Sequence, residues 1–164
     1  MGNAEYDVRN PFAGIDGYQC FGCDPNNGIG LQLRFHRSGD VVTTEWRPRG
    51  ELEGYPGVVH GGIQATLADE IGGWYVYAVL GTAGVTKELS VTYETPARVD
   101  EGPFRITARS TDRSPKHVVI DVDIHNVAGA RCAGARVTYV LFSEAVARKR
   151  LSFPGAEAFI PGRP

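Results

Sequence analysis

Val58-Val59-His60-Gly61-Gly62-Ile63-Gln64-Ala65-Thr66-Leu67-Ala68-Asp69-Glu70 reads VVHGGIQATLADE. A histidine and two glycines open a run that suits a helix, and two acids follow among small and apolar residues. The helical pattern holds from about residue 62 to residue 80, with no proline to break it. At about 100° per residue, Ile63, Leu67, Ile71, Trp74 and Ala78 share one stripe. Asp69 lies nearly opposite, with Ala65, Gly72, Gly73, Val76 and Leu80, and Glu70 sits between the two sides. A helix apolar on most sides is a buried, central one. A carboxylate in such surroundings is expensive unless it is paired or used. Gly72-Gly73 costs helix stability, about 1 kcal/mol per glycine, so a close neighbour or a ligand must gain from their small size.

Outward from this helix the periodicity changes to two. Residues 31–35 alternate apolar and polar, residues 38–40 signal a turn, and residues 41–46 read as a partner strand. A polar loop at 47–56 leads into the helix. Four further strands follow at about 85–95, 104–110, 118–124 and 136–142, separated by turns. Residues 1–29 form an irregular lead segment, and the tail 144–164 starts with a short helix before a loose, Pro- and Gly-bearing end. One helix cannot cover six strands on both faces. The economical arrangement is an α+β domain over residues 30–143, an antiparallel sheet wrapped around one long central helix. The sheet's edges and outer face then need a partner, which predicts an oligomer.

Composition narrows the function. The chain has 164 residues, enough for one domain, and 42% are hydrophobic. A net charge of −2 gives no bulk attraction to nucleic acid. The apolar run near residues 74–80 is too short to cross a bilayer. The opening MGNAEYDVRN has acids and no apolar core, unlike a signal peptide, and Tyr6 stands where a myristoylation signal needs Ser or Thr. Three cysteines, an odd number, do not suggest a secreted disulfide framework. The expectation is a cytoplasmic protein with no nucleic-acid or membrane partner.

The glycine pair has a chemical reading. A helix start leaves unpaired N–H groups and partial positive charge. Bare of side chains, Gly61 and Gly62 let an acyl oxygen approach those groups, as in an oxyanion hole. Asp69 lies roughly 12 Å further along the axis. An acyl group meets both only by running along the helix, or if the two come from different subunits. The alternative is that His60-Gly61-Gly62 is no more than a tight turn into the helix.

GVVHGGIQATLADE resembles the signature of hotdog-fold acyl-CoA thioesterases of the PaaI-like group, whose helix opens His-Gly-Gly and carries Leu-Ala-Asp or Leu-Ala-Glu. The resemblance continues in TKELSVTY at 86–93 with Pro96-Ala97, and upstream in CFGCDPNNGIGLQLRF, similar to a Cys-x-x-Cys-Gly-x-x-Asn-Pro-x-Gly-Leu opening. It spans Cys20 to about Phe142. It implies the hotdog fold, with subunits paired sheet to sheet as a homodimer or homotetramer and sites at the interface. It makes Asp69 the general base or nucleophile and the Gly61 N–H the group that polarises the thioester carbonyl. His60 and Gly62 shape the loop, and Thr86 lies near the partner subunit's acid, where its hydroxyl orients water. The chain departs from the pattern at Asp24 and Gly28, and Leu52-Glu53-Gly54-Tyr55 lacks the amide that some relatives carry just before His-Gly-Gly. A thioester is electrophilic enough for activated water and an oxyanion hole to suffice, and no Gly-x-Ser-x-Gly occurs.

Arg113-Ser114-Pro115-Lys116 reads as a turn suited either to plain solvation or to the phosphates of coenzyme A. Lys87 and Trp74 join these residues as candidate substrate contacts. Cys20 and Cys23 form half of a zinc knuckle. Cys132 with one of His36, His117 or His125 would have to complete it, so reduced, buried thiols are the expected state, with no metal and no cofactor. Asp121 and Asp123 alternate with Val and Ile, as on the outer face of a strand. The expected activity is acyl-CoA thioester hydrolysis. The rivals are an enoyl-CoA hydratase using His60, a non-catalytic acyl-CoA-binding module and an assembly protein.

Overall fold

The computed structural model describes residues 4–162. Met1 and Gly2, on which the myristoylation reading bears, lie outside the described residues. Seven strands form one antiparallel sheet: β1 (Glu5–Asp7), β2 (His36–Ser38), β3 (Val41–Trp46), β4 (Gly84–Tyr93), β5 (Phe104–Arg113), β6 (His117–His125) and β7 (Arg131–Leu141). Their order is β1-β2-β3-β5-β6-β7-β4. Helix α1 (Gly61–Ala78) packs against β3, β4, β5, β6 and β7, so the sheet wraps around it as expected. Leu67, Ile71, Trp74 and Ala78 of the predicted stripe are buried, and β6 alternates buried and half-buried residues along its whole length. Asp121 and Asp123 of β6 pair with Arg136 and Arg131 of β7 on the outer face. Among the described residues no helix is long and apolar enough to cross a membrane.

Three details differ from the sequence reading. Residues 31–35 form no strand, and Gln32 turns the chain through the left-handed region at φ 54. Leu31, Leu33 and Phe35 are buried in alternation, yet the N–H groups of Leu31 and Leu33 bond the carbonyls of Phe21 and Gly22 in the lead segment. Periodicity reports burial, not hydrogen-bond partners, and β2 begins only at His36. The three-residue β1 is too short to leave a pattern. The tail is not loose. After α2 (Glu144–Leu151), Phe153 and Phe159 are buried and stack on Tyr77 of α1 at 6.1 and 4.9 Å between ring centroids. Two aromatic side chains outweigh the Pro and Gly around them.

Strand β4 forms one edge of the sheet, with ten residues and most of its side chains exposed. At about 3.3 Å per residue this is roughly 33 Å of unpaired backbone edge.

Candidate active site

The glycine turn opens α1 as its chemistry requires. His60 is the N-cap, and its Nδ1 accepts the Gly62 N–H at 2.9 Å. The ring is therefore engaged as a cap, which leaves the hydratase reading without its base at that nitrogen. The Gly61 carbonyl accepts the Tyr93 hydroxyl at 2.7 Å, while among the described residues no hydrogen bond occupies the Gly61 N–H. That N–H borders a cavity of about 640 Å³ lined by Tyr55, His60, Gln64, Tyr93 and Pro96. Gln64 is 4% exposed. Its Nε2 donates to the Val59 carbonyl at 3.3 Å, and its Oε1 has no partner.

Asp69 stands two turns on, half-buried, at a second cavity of about 460 Å³. Its Oδ1 accepts the Thr86 hydroxyl at 2.6 Å and the Tyr139 hydroxyl at 3.2 Å; Tyr139 also donates to the Asp69 carbonyl. No hydrogen bond engages Oδ2 among the described residues. Thr86 thus meets the acid of its own chain. The register of β4 against β7 shifts between Thr86 and Glu88, a bulge at Lys87 of the kind that re-aims side chains beside functional sites. Burial, then the Asp69 charge, raises Tyr139 well above the usual tyrosine range, so it stays a proton donor.

Gly72 now has its reason. A Cβ there would lie 2.8 Å from the Tyr139 hydroxyl, whose residue is 3% exposed. Gly72→Ala gains about 1 kcal/mol of helix propensity and loses about 1–3 kcal/mol to overpacking. The expected net result is a destabilised protein, seen as a lower urea midpoint. Tyr139 would also be pushed off Asp69, so activity should fall with it. An unchanged midpoint and full activity would show that Tyr139 yields freely.

Glu70 turns away from Asp69, toward the lead segment. Its Oε1 accepts the Trp74 indole N–H at 3.1 Å and the Cys20 thiol at 3.5 Å. Burial, then the neighbouring Cys20 charge, pushes Glu70 up to about 7. The Cys23 thiol, hydrogen-bonded to Cys20, brings Cys20 down to about 5, and its own titration rises accordingly.

The remaining candidates are more scattered. Arg113 at the end of β5 and Ser114 and Lys116 in the β5–β6 turn are exposed, and Ser114 fastens the turn through its N–H to the His117 carbonyl at 2.8 Å. Val118 pairs with Tyr139 and Tyr139 with Thr86, so this turn lies two strands, roughly 10 Å, from the Asp69 end of β4. Lys87 is exposed at the bulge. Trp74 is 2% exposed, stacked on Phe35 at 4.8 Å, and touches the Asp69 cavity from the core. Tyr93 and Tyr139 bond Gly61 and Asp69, and Gln64 lines the cavity beside Gly61; none of the three stands out in the sequence. A tyrosine in a strand has no mark that tells a partner of an acid from packing. Gln64 had a faint one, an amide beside the glycines.

Residues 56–133 match the family profile described as the thioesterase superfamily. A protein of Saccharolobus solfataricus named as an esterase is 30% identical over 97 residues, 58% of this chain and 63% of that protein, a little under two thirds of the relative's length. A thioesterase-named protein of Streptococcus pneumoniae TIGR4, solved with coenzyme A, superposes with a TM-score of 0.60 at 28% identity, covering 64% of this chain and 83% of that one. Zebrafish thioesterase superfamily member 2 gives a TM-score of 0.58 at 30% identity over 63% of this chain and 75% of its own. With its sheet wrapped around a His-Gly-Gly helix and these relatives, the chain belongs to the thioesterase superfamily and has the hotdog fold.

Proposed function

We propose that the protein hydrolyses an acyl- or aryl-CoA thioester at sites shared between two copies of the chain. One observation carries this reading. The acid with a free carboxylate oxygen, Asp69, and the unoccupied Gly61 N–H border different cavities of one chain. Strand β4 supports their meeting across a dimer. Near one end it holds Thr86, bonded to Asp69; at the other it holds Tyr93, bonded to Gly61. If two β4 edges pair antiparallel, the Thr86 end of one chain lies beside the Tyr93 end of the other. The acid of each subunit then faces the partner's helix start.

In the proposed reaction Thr86 and Tyr139 hold Oδ1 and fix the carboxylate plane. Oδ2 takes a proton from water, which attacks the thioester carbonyl. Negative charge develops on the carbonyl oxygen and is received by the partner's Gly61 N–H, reinforced by the helix dipole. Collapse of the tetrahedral intermediate expels the CoA thiolate, which takes the proton held on Asp69 Oδ2. Gln64 Oε1, buried and unpartnered beside Gly61, accepts an N–H or O–H from the bound substrate or water. It supplies from the helix the amide that residues 52–55 lack. Coenzyme A bound to the S. pneumoniae relative supports CoA as the acyl carrier. The three free cysteines suit a reducing compartment, and we assign the protein to the cytoplasm.

The test is release of free thiol from a panel of short, long and aromatic acyl-CoAs by the purified protein. Turnover of any of them supports the reading. Tight binding with no turnover across the panel would make the protein a binding module instead. Arg113 and Lys116 are assigned to the CoA phosphates. Phosphate contacts remote from the reacting carbon bind substrate and transition state alike, so their loss acts on KM. The Arg113→Ala, Lys116→Ala double variant should raise KM for acyl-CoA by roughly 2- to 20-fold, as two exposed charge contacts allow. KM for an acyl-pantetheine should stay the same. Equal penalties on both substrates would leave the turn a solvated loop.

A further inference from the structure

The lead segment places two thiols against a helix carboxylate, in a cluster that thioester hydrolysis does not use. The Sγ atoms of Cys20 and Cys23 and a carboxylate oxygen of Glu70 all lie within 4.8 Å of one another, and Cys23 is 4% exposed. We propose that Cys20, Cys23 and Glu70 form a binding site for a soft divalent cation, zinc by its ligand chemistry, that staples the lead segment to α1.

Four features support it. The first is the ligand set. Two thiolates and one carboxylate at C-x-x-C spacing are ordinary zinc donors, and a water completes a tetrahedron. The half knuckle read from the sequence lacked its second half because that half is a helix carboxylate 47 residues beyond Cys23, as their numbers show. Cys132, His36, His117 and His125 are not in the cluster.

The second feature is the turn, which is already formed. The Cys23 carbonyl accepts the Asn10 side chain at 3.1 Å, and the carbonyls of Phe21 and Gly22 accept Leu31 and Leu33. The third is Gly22. A Cβ there would stand 2.3 Å from the Glu70 carboxylate, so a larger residue would push that carboxylate from its place beside the sulfurs.

The fourth is an outer layer of hydrogen bonds. Tyr18 Oη lies 3.0 Å from Cys23 Sγ, and the Trp74 indole N–H holds Glu70 Oε1. Metal ligands are commonly oriented by such second contacts. On binding, the two cysteines give up their thiol protons and Glu70 binds as carboxylate, so the occupied site carries one net negative charge. Glu70 adjoins Asp69 in the chain, and both border the same cavity, so the staple also fixes the helix turn that presents the acid.

The test is metal content and cobalt spectroscopy on the intact protein, neither of which reads thioesterase activity. Untagged protein from zinc-supplemented medium should carry about one equivalent of zinc per chain after exhaustive dialysis. Cobalt substitution should give thiolate-to-metal charge-transfer absorption and tetrahedral d–d bands. Chelator treatment should lower Tm, and zinc should restore it, because a ligand bound only by the native state stabilises that state. Cys20→Ser, Cys23→Ser should abolish the cobalt bands, and Glu70→Gln should weaken zinc binding by at least roughly tenfold, the scale of losing an orienting or direct ligand. Wild-type protein without zinc, without cobalt charge transfer and with no Tm response to zinc would overturn the proposal, whatever the variants do. So would bound zinc that survives in the Cys20→Ser, Cys23→Ser protein. Thioesterase activity in a metal-free protein leaves the proposed function standing and removes only the staple.

Discussion

Replacing Asp69 by asparagine is expected to lower kcat by roughly 10²-fold or more, the scale of losing a general base. Oδ1 is committed to the hydroxyls of Thr86 and Tyr139, both donors, and Oδ2 has no partner. In the variant the amide oxygen takes the Oδ1 place, because it alone can accept from those hydroxyls. The NH₂ group then stands where Oδ2 stood, and it cannot take a proton from water. The amide is nearly isosteric and the Thr86 and Tyr139 bonds survive, so folding should be preserved and KM should change little. Circular dichroism and Tm check the first point, and steady-state thiol release checks the second. Glu70 is the control. Its Oε1 is occupied by Trp74 and Cys20, and it faces the lead segment. An active Asp69→Asn protein beside an inactive Glu70→Gln protein would move the acid one residue along the helix.

Much of this arrangement was legible in the chain, and the limits have physical causes. The helix declared itself through its stripe, and the strands after it through alternation, because both patterns follow from burial against one core. The oddity of an acid on a small-residue face was legible too, as was the need for something close to Gly72. What fills that space was not: Tyr139 lies 70 residues from Asp69, and register across a sheet is set by the whole fold. The same holds for Glu70 and the two cysteines. Their meeting depends on how an irregular segment packs, and irregular segments carry no period. The order of the tail is not legible locally, because Pro and Gly speak of local backbone, whereas Phe153 and Phe159 are held by tertiary burial.

The central claim is that each site takes its acid from one chain and its oxyanion hole from the other, and mixing two inactive variants tests it most directly. Asp69→Asn removes the acid. Gly61→Pro removes the N–H; proline is tolerated at the first helical position, and His60, at φ −57 and ψ 136, already has the conformation that precedes proline. Its added Cβ would lie 3.1 Å from the Tyr93 hydroxyl, a contact that hydroxyl can relieve by a few tenths of an ångström. Losing the donor should cost roughly 10²- to 10³-fold in kcat. In a heterodimer of the two variants, one shared site has both defects and the other has neither. Random exchange makes half the dimers mixed, so thiol release should recover to about a quarter of the wild-type rate in a twofold-symmetric assembly. Native mass spectrometry verifies the exchange. Recovery to that level is the predicted result; verified heterodimers that stay as inactive as their parents would contradict the account and place both groups of each site in a single chain.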